Sequence, residues 1–90
     1  NQIMQFKPIG AVITLDSASG NHINSAKSVY VSATADATLT LKDSAGPNGT
    51  VIGSLQMHEN SSIIINKKPI EGLFSTGTAS KATKISYPRG

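Results

Sequence analysis

The chain has 90 residues, no cysteine and a formal net charge of +3, with 38% hydrophobic and 14% charged residues. A domain of this length buries only about 60% of the surface that its unfolded form exposes, so its core is small. The absence of cysteine excludes disulfides and favours burial against partner subunits as additional stabilisation. The longest aliphatic run is the three isoleucines at residues 63–65. Since a membrane helix needs about 20 apolar residues, we expect no membrane partner.

Short β-prone runs, separated by Gly, Asn, Ser and Pro, begin near the N-terminus. The first clear run is residues 11–15, preceded by a candidate strand at residues 3–6 that the following Lys-Pro pair would end. Residues 28–33 (SVYVSA) and 37–42 (ATLTLK) alternate apolar and polar side chains, which is typical of half-buried strands. Because the link between these two runs is short, we expect them to form a β-hairpin.

The second half of the chain continues the pattern of strands and turns. Residues 43–49 (DSAGPNG) are the strongest turn signal, and residues 50–57 resume as a strand in which Gly53 marks a candidate bulge. The isoleucines within residues 62–66 suggest a strand covered on both faces, by a second sheet or by a neighbouring subunit. Two further segments complete the chain: an edge strand or loop at residues 70–76 and a strand at residues 79–87.

This succession of strands without a helix predicts an all-β fold. Six or seven strands at a spacing of roughly ten residues are typical of an antiparallel β-sandwich or small barrel, immunoglobulin-like or jelly-roll-like. We expect one domain over residues 1–90, with residues 1–10 as a candidate N-terminal arm. The alternation of apolar residues places a set of aliphatic side chains at the centre of the core, with two valines beside them: Leu39, Leu41, Leu55, Ile63 and Ile65, and Val29 and Val31.

Positive charge gathers in the last quarter of the sequence. From Lys67 onward, Lys67, Lys68, Lys81, Lys84 and Arg89 are opposed by Glu71 alone. These side chains indicate either a solvated face with lysines that protect sheet edges or a patch for a polyanion. Nucleic-acid binding would need aromatic platforms among the lysines, and the whole chain has only four aromatic residues: Phe6, Tyr30, Phe74 and Tyr87. We therefore do not expect nucleic acid as a partner, and we expect these lysines at the rim of an interface or facing solvent.

The residues needed for catalysis or metal binding are scarce. His58 and Glu59 are adjacent, but successive residues of an extended strand point to opposite faces and would not converge on one ion. His22 lies in a polar stretch that is typical of a solvated loop. No Gly-x-Ser-x-Gly segment presents a nucleophilic serine, and no phosphate-binding loop is present. We expect no enzyme, no catalytic, cofactor-binding or metal-binding residue and no cofactor.

The order of the strands and turns resembles small virion proteins of tailed bacteriophages, marine phages such as cyanophages in particular. The segments that carry this likeness are SVYVSA at 28–33, ATLTLKDSAG at 37–46, VIGSL at 51–55, HENSSIII at 58–65 and KATKISYPRG at 81–90. The resemblance covers residues 28–90 and includes no catalytic signature. It implies a non-enzymatic structural protein, localised to the virion, that docks as repeated copies on the capsid, neck or tail, as a decoration or attachment subunit. Other virion proteins would be its partners, and it would be a homo-oligomer.

The alternative is an immunoglobulin-like or carbohydrate-binding β-module of a surface or adhesion protein. Such a module would be expected to present an aromatic stacking platform in a groove. With no tryptophan and four other aromatic residues, this chain supplies such a platform poorly. An enzyme ranks third among the three hypotheses.

Overall fold

A computed structural model describes residues 6–86, which form two antiparallel sheets packed face to face. The larger sheet has five strands in the order β1-β8-β3-β6, with β2 also paired to β8, and the smaller sheet has three strands in the order β5-β4-β7. The strands are β1 (Lys7–Pro8), β2 (Ile13–Thr14), β3 (Ser28–Ala33), β4 (Ala37–Lys42), β5 (Val51–Met57), β6 (Ser61–Asn66), β7 (Gly72–Ser75) and β8 (Ser80–Ser86). The all-β sandwich is confirmed, and none of the described residues forms a helix long and apolar enough to cross a membrane.

The described residues contain eight strands and not the six or seven predicted. The additional strand is β1, which pairs with the end of β8 at Ser86 and Ile85. β2 lies within the run predicted at residues 11–15, is only two residues long and pairs with Ala82 and Lys81. The Lys-Pro pair that we expected to end a strand is β1 itself. Proline is compatible with this position because β1 lies at the edge of its sheet, where a missing N–H breaks no ladder. The candidate strand at residues 3–6 lies almost entirely outside the described residues, as do residues 87–90.

The hairpin predicted between β3 and β4 is wrong. β3 pairs with β6 and β8 in the larger sheet, whereas β4 pairs with β5 and β7 in the smaller one. The link at residues 34–36 therefore crosses from one sheet to the other. A period of two in the sequence indicates which side chains of a strand face inward and does not identify the neighbouring strands. Both strands show this period because they face the same core from opposite sheets.

The core lies between the two sheets and extends beyond the predicted set. Val29, Val31 and Leu39 are fully or almost fully buried, and Leu41, Ile63 and Ile65 are partly buried against them. Leu55 was placed wrongly at the centre, since 41% of its surface is exposed. Four further large apolar side chains, not among those predicted, have at most 1% exposure: Leu15, Ile23, Met57 and Leu73.

Leu39 and Leu55 are direct cross-strand partners in the smaller sheet and face the same side. Because Leu39 is 1% exposed and Leu55 is 41% exposed, Leu39→Ala should lower the free energy of unfolding by about 2–5 kcal/mol, and Leu55→Ala by less than about 2 kcal/mol. Urea unfolding of the two variants and the unchanged chain measures the difference. Equal losses at the two positions would contradict the difference in burial between Leu39 and Leu55 on the inner face.

Candidate functional site

A long loop, residues 15–27, covers one side of the sandwich. The Asp16 carboxylate accepts hydrogen bonds from the backbone N–H groups of Gly20, Ser19 and Ala18 at 3.0, 3.1 and 3.2 Å. The hydrogen bonds from Gly20 and Ser19 hold the pKa of this carboxyl below its usual value. Gly20 has a φ of 60° and lies directly over the Phe74 ring, where an added Cβ would come within 2.6 Å. Only glycine fits this position.

The same loop contains a single turn of left-handed backbone. Ile23, Asn24 and Ser25 have φ angles of 55°, 55° and 57°. Each left-handed residue costs about 1–2 kcal/mol, and a β-branched residue such as isoleucine is an outlier in this region. The Ile23 side chain is completely buried in the core. The burial of this side chain is therefore one of the contacts that offset the backbone strain.

A buried lysine stabilises this turn from the larger sheet. The Lys67 ammonium donates hydrogen bonds to the carbonyl oxygens of His22 at 2.8 Å, Lys68 at 3.2 Å and Pro69 at 3.4 Å. Lys67 is 8% exposed, so its predicted place at a rim or in solvent is wrong. Burial lowers the pKa of Lys67 and Lys84 adds to the effect, while attraction by Glu71 opposes it. Lys84 donates to the Asn24 carbonyl at 3.1 Å from a more exposed position.

The histidines considered in the sequence both lie in turns. His22 accepts a hydrogen bond from the Ser25 N–H through Nδ1 at 2.9 Å. The turn at His58 is closed by Ser61, whose hydroxyl donates to the His58 carbonyl at 2.6 Å. Residues 6–86 contain no group of three His, Cys, Asp or Glu side chains placed to hold a metal ion. The structure therefore brings no catalytic or metal-binding cluster together within this range.

Three aromatic side chains in the described part of the chain are engaged in contacts within the chain. Phe6 and Tyr30 contact each other with ring centroids 5.1 Å apart. The Phe74 ring is buried below the loop at Gly20, and the Lys42 ammonium lies 4.4 Å from its centroid. A sugar platform needs an aromatic face that is open to the ligand. The Phe74 ring is buried, and Phe6 and Tyr30 each use part of their ring surface in their mutual contact.

The opposite side of the sandwich is open. β5 and β6 are the terminal strands of their sheets, and between them lies a cleft of about 250 Å³. Its lining is aliphatic apart from Gly53 and Ser54, and comprises Leu39, Leu41, Ile52, Gly53, Ser54, Leu55, Ile65 and Leu73. Small-molecule sites usually place several polar groups among apolar ones. The aliphatic lining favours the side chains of another protein segment over a polar ligand such as a sugar.

β5 is the exposed strand at this cleft. Its first six residues are exposed, and Val51, Ile52 and Leu55 are 57%, 54% and 41% exposed. The strand contains no charged residue and no proline, although charge and proline are common devices that protect edge strands from pairing. One irregularity interrupts its pairing with β4, between Leu41 and Lys42. It lies beside Gly53, where a bulge was expected.

The remaining edge of the smaller sheet is protected. β7 has four residues, all of them buried. Asn21 forms a two-residue bridge with Leu73 on this strand, and Asp16 accepts a hydrogen bond from the Ser75 N–H at 2.9 Å. The loop therefore occupies the hydrogen-bonding edge of β7, and β5 is the edge of this sheet that no other strand within residues 6–86 pairs with.

Comparison of the chain with protein-family models, curated protein sequences and solved structures finds no match. The resemblance to phage virion proteins therefore stays a prediction, and the surface geometry carries the functional argument.

Lys67→Met removes a buried charged donor and leaves the His22 carbonyl without this partner. Hydrogen bonds to charged groups contribute about 1.5–3 kcal/mol, so we expect a loss of that size in the free energy of unfolding. Lys84→Met is the matched control, because its single hydrogen bond is exposed and should contribute less than about 1 kcal/mol. Denaturant unfolding compares the two variants, and a Lys84→Met loss as large as that of Lys67→Met would contradict the assigned role of Lys67.

The lowered pKa of Lys67 also predicts a pH dependence. Between its folded pKa and the usual value of 10.5, the unfolded chain holds a proton that the folded chain has released. The free energy of unfolding therefore rises with pH in this window, on account of Lys67. The difference between the unchanged chain and Lys67→Met, measured from neutral pH toward 10.5, should increase. A constant or decreasing difference would show that folding does not lower this pKa.

Proposed function

We propose that the chain is a non-enzymatic structural subunit that assembles in repeated copies through the edge strand β5. The observation that carries the proposal is the uncharged, exposed β5 beside an aliphatic cleft. Backbone N–H and C=O groups along a free edge bind another strand, and an apolar cleft binds its side chains. Together they provide both parts of a strand-mediated protein contact.

The assembly that we propose is a tailed-phage virion, because the strand pattern of the sequence resembles virion proteins. This chain would be a capsid, neck or tail component. Three features support a packed subunit: charged residues are 14% of the chain, cysteine is absent, and a domain of 90 residues has a small core. Burial of β5 against a neighbouring subunit would add apolar contact that the isolated domain lacks. Such a subunit needs no catalytic group.

The alternative of a carbohydrate-binding surface module has less support. Phe6, Tyr30 and Phe74 contact other groups of the chain, and the cleft beside β5 has an aliphatic lining. A sugar is recognised by aromatic faces together with polar groups. Neither arrangement is found at the cleft.

Mass spectrometry of purified phage particles from cells that carry the gene tests the proposal. We expect the chain in the particles at a fixed ratio to the major capsid or tail proteins, because a structural subunit occupies a symmetric set of positions. Particles that contain less of the chain when it carries Val51→Lys or Ile52→Lys would show that β5 makes the contact. Ile70→Lys, at an exposed residue outside β5, is the control and should leave the amount of the chain in the particles unchanged. A chain that is absent from particles and binds a glycan array would overturn the proposal in favour of the surface module.

A further inference from the structure

We propose that the neighbour at β5 is a second copy of the same chain. The two β5 strands pair antiparallel about a two-fold axis at Ser54, and the two three-stranded sheets become one continuous sheet. This inference rests on the proposed function in that it names the partner of the same surface. The inference adds the register in which the two β5 strands pair and the side-chain contact that selects this register.

The inner face of β5 limits the pairing to a few registers. Its cross-strand partners on β4 show that Gly53, Leu55 and Met57 face the core side, opposite Leu41, Leu39 and Ala37. Residues directly opposite in an antiparallel pair lie on the same face of the sheet. Over residues 53–57, the inner faces of two copies therefore join only when odd-numbered residues lie opposite odd-numbered residues. Before Gly53 the alternation is interrupted, because Val51 pairs with Lys42 on the outer face.

Among those registers, the one centred on Ser54 places Gly53 opposite the partner's Leu55, and the two-fold axis repeats this contact. A shift by two residues in one direction places two glycines opposite each other. A shift in the other direction opposes two leucines.

The contact between Gly53 and Leu55 fits the space that the structure leaves open. A Cβ added to Gly53 would have no atom within 4 Å, although the residue faces inward. Leu55 is 41% exposed, although its cross-strand partner Leu39 is buried. In the proposed pair, each Leu55 side chain lies beside the other copy's Gly53, at the mouth of the cleft lined by Leu41 and Ile65. The exposed Leu55 side chain of one copy thus fills the open space beside Gly53 of the other.

Charge along β5 does not oppose self-pairing, because the strand carries none.

Sedimentation equilibrium of the full chain tests the inference with three variants. Gly53→Leu fills the gap and should weaken the dimer at least tenfold, which corresponds to about 1.4 kcal/mol. Leu55→Gly removes the side chain that fills the gap and should weaken it similarly. The exchanged double variant Gly53→Leu with Leu55→Gly should restore the dimer, because each leucine again lies opposite a glycine. Ile70→Gly, which removes a side chain that is 67% exposed outside β5, is the control and should leave the dimer unchanged.

Amide hydrogen exchange gives a second measurement that needs no variant. Amides of β5 that are not bonded to β4 should exchange more slowly as the protein concentration rises, since dimerisation buries them. A chain that stays monomeric at about 1 mM, or a double variant that remains as weak as the single ones, would overturn the inference. A β5 edge occupied only by a different virion protein would also overturn it. A monomer that is present in particles would leave the proposed function standing, whereas a dimer that is absent from them would remove that function and keep the inference.

Discussion

The hydrogen bonds of the buried Lys67 ammonium determine much of this structure. They stabilise the left-handed turn that begins after His22, and this turn places Ile23 in the core. The polypeptide before the turn then lies along β7, where Asn21 pairs with Leu73. A single charged group below the surface thus stabilises a strained turn, and the turn positions the loop that covers one edge of the smaller sheet. Three carbonyl acceptors offset part of the energetic cost of burying the charge, and the lowered pKa of Lys67 reflects the part that remains.

The covered β7 edge makes the free β5 edge distinctive. A three-stranded sheet has two edges, and a loop of this chain occupies one of them. The other lies beside β6 with an aliphatic cleft between them. Leu55 is correctly oriented for the core and still exposed, since no strand within residues 6–86 lies beyond β5 in this sheet. Among these residues, the incomplete core and the free edge therefore have one origin, which is the position of β5 at the end of its sheet.

The sequence predicts the strands of this protein better than their arrangement. Alternation at residues 28–33 and 37–42 gives the correct inward faces, because side chains of a strand alternate whatever sheet it joins. Sheet membership depends on pairing with strands distant in the chain, such as β3 with β8, and no local pattern encodes it. The hairpin prediction failed for this reason. The prediction that Leu55 lies at the centre of the core failed for a similar reason. Alternation along a strand indicates the face on which a side chain lies, and not whether another element covers that face.

The buried lysine and the left-handed turn were beyond local sequence rules. Lys67 follows a strand and precedes Lys68 and Pro69, a context typical of a solvated strand end. One of its three acceptors, the His22 carbonyl, belongs to a loop 45 residues away in sequence. Ile23 is β-branched and would normally exclude positive φ, so the turn depends on tertiary contacts, which include the burial of its side chain and the hydrogen bond from Lys67. The free edge at β5 could be recognised in part, since a strand without charge or proline is visible in the sequence, but its position at an edge is not.

The proposed pairing also accounts for an edge strand without charge. Exposed edge strands invite open-ended pairing, which leads to fibres when the contact joins two different surfaces. The proposed two-fold pair would use the same edge on both copies, so both β5 edges would be buried in one contact. The loop at β7 would prevent growth from the other side of each sheet. Gly53 beside Leu55 would add selectivity, because the leucine fits opposite the glycine in one register and opposes another leucine or leaves two glycines together in the neighbouring ones. In such a dimer, a specific partner would protect the β5 edge in place of charge.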